Sequence, residues 1–391
     1  MAKSKSEKSV GKWSRAALKA CNWFVNNQII QQRPNWDANH GRFMYNVHRS
    51  SDFRTMGIGW TQARAVMCLL TGYDVTGNEK YLESAKLGIG YVKTLQNLDA
   101  RHSLTYGAFH EETPHSTFSF PRDAIEIAEA LMEWGVAVKD NEALDRADLF
   151  FKWFRKNALK PYPDFGWWIA GAVAFDGTPE PADKRPHSCE AGCGWILAHA
   201  YELTGKPAYK QLLIKIADQI LKRYTPKGIG PFSENVGKQA LGHHTDVDGA
   251  IHNDDGAGIT LLAAHSVTGK REYLDAVLRV ADYYAARQEP LPIYSGTAAV
   301  ANLLVEADRA TGGGRYRQAA ERYAREVLKL QDTSDDKRCR GAFIGEDEGG
   351  KWYVPGSAND DFVTTRVTAY SALALFKLDG CNARGYSVSR I

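Results

Sequence analysis

One short phrase recurs along this chain and constrains its fold more than any other feature. Thr76-Gly77 precedes Tyr81, Thr204-Gly205 precedes Tyr209, Thr268-Gly269 precedes Tyr273 and Thr311-Gly312 precedes Tyr316, with the tyrosine four residues after the glycine each time. Lys139-Asp140 followed by Leu144 reads as a degenerate fifth copy. Each phrase separates two helical patterns: glycine ends the first helix in a left-handed cap, and the aromatic opens the apolar stripe of the second. The phrase is therefore the turn of a helical hairpin, and its repetition marks a repeat architecture.

The helices on the two sides of the turn differ in pattern. After Gly269, the residues Tyr273, Val277, Val280, Ala281 and Tyr284 fall on one face while Arg271, Glu272, Asp275 and Arg279 fall elsewhere, the pattern of a helix packed on one side. Helices before the turns, such as Ile259 to Ala264 or Val367 to Leu375, are apolar nearly all round and should be buried on both sides. The two-sided kind is expected near residues 60–75, 122–136, 190–203, 255–267, 294–309 and 362–378, and the one-sided kind near 12–31, 79–95, 143–156, 207–223, 271–287 and 315–330. Six inner and six outer helices in strict alternation predict an all-α fold, an (α/α)₆ barrel, over residues 12–391 after a flexible segment 1–11. A two-layer helical solenoid is the competing layout.

Composition narrows the partners. Lys and Arg total 49 against 46 Asp and Glu, a formal charge of +3, with no long single-sign run beyond Met1 to Lys12, so no nucleic-acid partner is expected. The basic start has no apolar segment behind it, and no stretch approaches ~18 apolar residues, so the expectation is a cytoplasmic protein without a membrane partner, unless a leader has been removed. Six cysteines are sparse for this length and read as reduced thiols. Cys189 and Cys193 with His187 lack the second ligand pair that zinc signatures carry.

Connections from inner to outer helix are the short Thr-Gly turns, whereas five of the six connections from outer to inner helix span about 26 to 33 residues. Helix–helix loops are ordinarily roughly 2–8 residues, and long ones tend to carry function. All should open at the end that gathers the inner-helix N-termini, whose dipoles favour carboxylates and anionic ligands. These loops are rich in Trp, Tyr, His and Arg, which suits sugar rings: their C–H faces stack on aromatics and their hydroxyls bond to charged groups. Trp60, Trp167, Trp168 and Trp352 are the candidate platforms, and Arg54, Arg122 and Arg366 the candidate clamps for a uronate carboxylate. Any one of these arginines could instead pair a helix-end carboxylate.

Carboxylates recur at the expected starts of inner helices: Asp123, Glu190, Asp254 and Asp255, and Asp360 and Asp361. Helix capping is the alternative use, above all for Asp360 and Asp361. Glycoside hydrolysis needs two carboxyls facing each other, one protonated and one ionised. Glu190 is assigned as general acid, Asp254 or Asp255 as base, and Asp123 as a substrate-positioning group. The segment from His243 to Asp255 holds His243, His244 and His252 among four aspartates, without a diagnostic metal spacing. It is read as a proton-transfer or hydrogen-bonding cluster, with His187 as a further candidate, and neither metal nor cofactor is expected.

On these hairpins and loops the chain resembles the six-hairpin glycosidase superfamily, and within it unsaturated glucuronyl hydrolases, unsaturated rhamnogalacturonyl hydrolases and related glucuronidases. The segment Arg54 to Val66 is similar to their first inner helix. The resemblance implies acidic residues at inner-helix starts as the catalytic groups, matching Asp123 and Glu190, although those enzymes carry Asp where this chain has Glu190. It implies a glycoside hydrolase for an anionic, glucuronate-containing oligosaccharide. Alternatives on the same barrel are a uronate lyase using Tyr or His, with Asn235 and His243 or His244 fitting loosely, a sugar 2-epimerase using paired histidines, and a non-enzymatic carbohydrate-binding scaffold.

Overall fold

The computed structural model describes residues 10–31, 39–162, 166–178, 188–224, 254–287, 294–345 and 358–388. Twelve α-helices are present among them: α1 (Lys12–Asn26), α2 (Gly59–Thr76), α3 (Glu79–Thr94), α4 (Pro121–Val138), α5 (Asn141–Trp153), α6 (Cys193–Thr204), α7 (Pro207–Leu221), α8 (Asp254–Thr268), α9 (Arg271–Ala286), α10 (Tyr294–Ala310), α11 (Arg317–Lys329) and α12 (Thr365–Leu378). The even-numbered helices form a closed inner ring in which each packs on the next and α12 returns to α2. The odd-numbered helices lie outside. This is the (α/α)₆ barrel, and closure of the ring rules out the solenoid. No helix among the described residues is long and apolar enough to cross a membrane.

The recurring phrase does the expected work at the turns and more. Gly77, Gly205, Gly269 and Gly312 take φ of 69°, 66°, 72° and 86°, and Lys139 holds the same left-handed conformation at 61°. Each threonine donates its hydroxyl to a carbonyl four residues back, closing the helix end. Each tyrosine also reaches sideways: Tyr81 donates to Asn22 Oδ1 (2.9 Å), Tyr209 to Asp148 Oδ1 (2.7 Å), Tyr273 to Asp218 Oδ1 (2.6 Å) and Tyr316 to Asp282 Oδ1 (2.8 Å). The aromatic therefore packs under its own hairpin and ties its helix to the preceding outer helix.

A second repeat fastens the ring at the opposite end of the outer helices. Gln28, Gln96 and Gln331 each follow an outer helix, and each Nε2 bonds the glycine carbonyl of a Gly-x-Phe segment (Gly41, Gly107, Gly341) and a carbonyl of a neighbouring outer helix (Ser84, Arg146, Ala16). These glycines have φ near 90°, and a Cβ would strike the backbone of Leu87, Leu149 and Lys19. The bond from Gln331 to Ala16 links the last outer helix to the first.

Long connections cross over one another in short antiparallel pairs. Strand β1 (Met44–His48) lies between β2 (Arg54–Met56) and β7 (Phe362–Thr364), joining the first and last long loops with Asn46 opposite Thr364. Strand β3 (Phe118–Ser119) pairs with β6 (Val173–Ala174), and β4 (Leu159–Lys160) with β5 (Trp168–Ile169). Two inner helices begin later than their carboxylates. Glu190 sits in a 3₁₀ turn (Ser188–Gly192) ahead of α6, and Asp360 and Asp361 in another (Ala358–Asp361) ahead of β7. Pairing of β7 with β1 holds the chain extended, so α12 starts at Thr365 and is capped by Thr364, whose hydroxyl accepts the Val367 N–H at 3.2 Å. Asp360 and Asp361 therefore do not cap it.

The sequence reading did not foresee the end of the described chain. After α12, residues 383–387 are buried against the barrel's other end. Arg384 pairs with Asp74 and Glu133, and the Tyr386 carbonyl accepts from Lys377 and Asn302. Replacing Gln331 by Ala removes both bonds of its Nε2, the one to Ala16 across the seam and the one to Gly341, and strands two carbonyls. A loss of about 1–3 kcal/mol is expected, read as a lower urea midpoint at unchanged m-value, whereas Lys329→Ala on the exposed face should leave the midpoint in place.

Candidate active site

Inner helices place polar side chains on the barrel axis in layers one helical turn apart. In the first turn lie Trp60 of α2, Arg122 and Asp123 of α4, Asp255 of α8 and Arg366 of α12. One turn deeper are Arg64, Glu126 and Tyr370, which stand four residues after Trp60, Arg122 and Arg366 and so on the same helix faces. Arg64 grips Glu126 with two nitrogens, Nε at 2.6 Å from Oε2 and Nη2 at 2.7 Å from Oε1, both side chains being 1% exposed. Arg122 shares the same carboxylate and donates Nε to the Cys189 carbonyl at 2.9 Å. The Arg64 guanidinium carbon lies 4.2 Å from the Tyr370 ring centre and 4.4 Å from that of Tyr386.

Deeper again, Glu129 Oε1 accepts from Trp195 Nε1 (3.1 Å) and faces His199 Nδ1 at 3.0 Å. Burial alone would lower the His199 pKa, but the Glu129 carboxylate, with Glu133 behind it, raises it. Below that, Lys377 pairs with Glu306 at 2.9 Å. Ionic groups thus continue from the open end of the barrel to the C-terminal tail.

The candidate carboxyls occupy different surroundings. Asp123 is half-buried at the third position of α4 and is hydrogen-bonded to Glu111, which comes from the second long loop. That hydrogen bond, like the nearby arginines, favours the charged form of Asp123. Burial pushes Asp123 up to about 6 against the pull of Arg122, with Glu126 adding to the rise and Arg366 opposing it. The Glu111 carbonyl accepts the Gly59 N–H at 2.7 Å, fixing this loop to the start of α2. Asp255 is 3% exposed, and its Oδ2 has no hydrogen-bond partner among the described residues. Burial raises it to about 7 although Arg64, the Gly256 N–H, Arg122 and Lys377 all favour the charged form. Glu190 is buried and accepts the Trp168 indole N–H at Oε2, 3.3 Å away.

The other sequence candidates occupy distinct places in this geometry. Arg54 is exposed on strand β2, opposite Val47 of β1. Arg122 is held by Glu126, one turn along the same helix, and by the Cys189 carbonyl. Arg366 is the clamp candidate that stays at the cluster, its guanidinium carbon 5.5 Å from the Trp60 ring centre. Trp168 turns inward to Glu190, while Trp167 lies on the outer wall beside α7 and not at the axis. The glycines around Glu190 and Asp255 serve helix contact: a Cβ on Gly194 would strike Thr260, and one on Gly256 would come within 3.3 Å of Gly192. His187, His243, His244, His252, Asn235, Trp352 and the Asp254 side chain lie outside the described residues.

Sequence reasoning missed Glu111, Arg64, Glu126, Glu129, Tyr370 and Tyr386. A signal existed for the carboxylates of α4, since Glu126, Glu129 and Glu133 recur at i, i+3 and i+7 on a helix otherwise apolar, a stripe that must face partners if the helix is buried all round.

A closed ring of six inner and six outer helices, with loaded loops at one end, defines an (α/α)₆ barrel of the kind found among carbohydrate-active enzymes. Solved structures with this fold include the cellobiose 2-epimerase of Spirochaeta thermophila (TM-score 0.67, 15% identity, 94% of this chain and 96% of that one). The unsaturated glucuronyl hydrolase of Bacillus sp. GL1, responsible for degradation of glycosaminoglycan, is similar at TM-score 0.65 and 18% identity, over 96% of this chain and 99% of that one. An α-1,6-mannanase from Salegentibacter sp. HEL1_6, inactive through replacement of two adjacent aspartates and in complex with α-1,6-mannotetrose, matches at TM-score 0.62 and 13% identity, over 93% of this chain and 98% of that one. No protein-family model matches the sequence, and no curated protein is similar to it by sequence.

Glu126→Gln leaves two buried guanidinium groups short of one full charge, and removal of one partner from such a pair costs about 3–5 kcal/mol. Urea unfolding should register a loss of that size, and Glu126→Asp, which keeps the charge, should recover part of it.

Proposed function

We propose that this protein is a glycoside hydrolase for uronate-bearing oligosaccharides, with the Asp123–Glu111 pair supplying a proton and Asp255 activating water. The observation that carries the reading is the presence of two carboxyl sites at one end of the barrel: Asp123, raised by burial and hydrogen-bonded to Glu111, and a buried Asp255 oxygen with no described protein partner. In the reaction, the Asp123 proton passes to the glycosidic oxygen as the bond to the anomeric carbon breaks. Asp255 takes a proton from water as the water oxygen bonds to that carbon. Glu190, assigned by sequence as the acid, is here a second-rank acid candidate because the Trp168 N–H already occupies one of its oxygens. Adjacent aspartates, whose replacement inactivates the mannanase, are a further reason to test Asp254 together with Asp255.

An anionic sugar is supported by Arg366 beside Trp60, a guanidinium and a stacking face at one point of the rim. The similarity in fold to a glucuronyl hydrolase points the same way, and those to a mannanase and an epimerase keep neutral sugars and isomerisation as outcomes to be measured.

The pH dependence follows from the two carboxyls. A base raised to about 7 is ionised only as pH rises through that value, and an acid at about 6 is protonated only as pH falls through it. The profile of kcat/KM should be a narrow bell with its maximum between the two. Asp255→Asn and Asp123→Asn should each cost ~10²–10⁴-fold in kcat and each remove one limb. Near-normal turnover in both variants would defeat the assignment, and the same loss in Glu190→Gln alone would return the acid role to Glu190.

The substrate class is read from a panel of glucuronides and matching glucosides, with and without chelator. A new reducing end marks hydrolysis, ultraviolet absorbance of an unsaturated product marks elimination, and an isomer marks epimerisation. Arg366→Lys should raise KM for the glucuronide and barely touch the glucoside, because planar bidentate pairing is lost. Equal efficiency on both sugars would remove the uronate from the proposal.

A further inference from the structure

The outer wall of the barrel carries a groove of about 510 Å³ between the end of α5 and the first half of α7. Its walls include Arg155, Lys160 and Lys215, its apolar floor Leu159 and Leu212, and one side is Trp167. No carboxylate is among its described lining residues. Lys215 and Arg155 are exposed, and Trp167 is half-buried.

This groove exists because of how the chain leaves α5. The last turn widens to a π-helical one (Phe154–Ala158), which carries Arg155 out to the surface and sets the chain into β4. Strand β4 pairs with β5, Lys160 lying opposite Trp168. Successive side chains of extended backbone point to opposite sides. Trp168 accordingly faces the barrel, with its indole N–H on Glu190, and Trp167 faces out into the groove, the two rings 6.3 Å apart. The groove and the candidate active site stand back to back across one short strand.

We infer that this groove is a second carbohydrate site, for an acidic oligosaccharide, separate from the catalytic end of the barrel. An aromatic face offers stacking to the C–H side of a sugar ring, and a guanidinium with two ammonium groups around it offers partners to carboxylates at successive residues. Charge complementarity selects the acidic class, and the tryptophan selects a ring over a simple ion. The inference takes from the proposed function only that saccharides are this protein's ligands.

The test is calorimetric titration of the full chain carrying Asp255→Asn with a hexamer of galacturonic acid, a neutral mannohexaose and inorganic phosphate. Two classes of site are expected for the uronate hexamer and at most one for the neutral sugar. Trp167→Ala and Lys215→Glu should each weaken the outer class about tenfold or more, a loss of some 1.4 kcal/mol, and leave the other class unchanged. In the chain without the Asp255 change, Lys215→Glu should keep normal turnover on a disaccharide-length substrate. A single class of site in every protein, or no response to Trp167→Ala, overturns the inference. Phosphate displacing the hexamer as well as free hexamer does overturns the saccharide assignment. Loss of all turnover on sugars by the unaltered chain, with outer binding intact, would count against the proposed hydrolase and leave this site standing.

Discussion

The fold rests on the arginine–glutamate clamp at the barrel axis. Six inner helices cannot meet at a point, so their common interior must be filled, and here it is filled with charge. Arg64 and Glu126, both out of reach of water, satisfy each other from neighbouring helices, and Arg122 and two tyrosine rings complete the shell. Such pairs contribute little net stability compared with apolar packing of equal volume, because desolvation offsets their attraction. Their effect is on register. A helix that slid or rotated by one position would leave an unpaired charge in the interior, at a cost of several kcal/mol, so the clamp fixes α2 against α4 and with them the first-turn residues above.

That register explains why the candidate site stands where it does. Trp60, Arg122 and Arg366 lie one helical turn above Arg64, Glu126 and Tyr370, so locking the lower layer locks the upper. The tail completes the lower layer from the far side: Tyr386 reaches the axis with φ of 53° and packs edge-on against Trp195 and Tyr370, 5.2 Å and 5.1 Å between ring centres. The outer ring contributes differently. Its tyrosine and glutamine bonds hold the hairpins side by side, which leaves the long loops free to carry Glu111 and Trp168 to the open end.

How much of this was legible follows from the range of the interactions. Hairpin turns are local, so Thr-Gly-x₃-Tyr revealed them and the alternation of stripe widths revealed the two rings; the helix starts at Gly59, Pro121, Asp254 and Tyr294 fall within a residue of expectation. Starts at Cys193 and Thr365 were displaced because strand pairing and a 3₁₀ turn, which depend on distant partners, override the local pattern. The same limit governs the site. Asp123 and Asp255 could be named as candidates because helix starts are readable. Glu111 could not, since its place comes from a contact with Asp123 that loop and strand β3 bring about, and the exposure of Arg54 could not be read because nearness in sequence to a helix start says nothing about which way an edge strand faces.

The raised carboxyls and the surrounding arginines are one electrostatic arrangement. Burial makes a negative charge on Asp255 expensive, which is why it is raised to about 7 despite Arg64, Arg122 and Lys377 nearby. A uronate entering this cluster adds a negative charge beside Arg366. Its charge opposes ionisation of both carboxyls, and Arg366 is one of the cations that favour ionised Asp123, so both should bind their protons more tightly in the complex than in the free protein. For a proton donor that keeps the acid loaded, and for a base it strengthens the affinity for the proton taken from water. A neutral sugar would leave that balance untouched, so under the proposed function charge on the substrate would act on the chemistry as well as on binding.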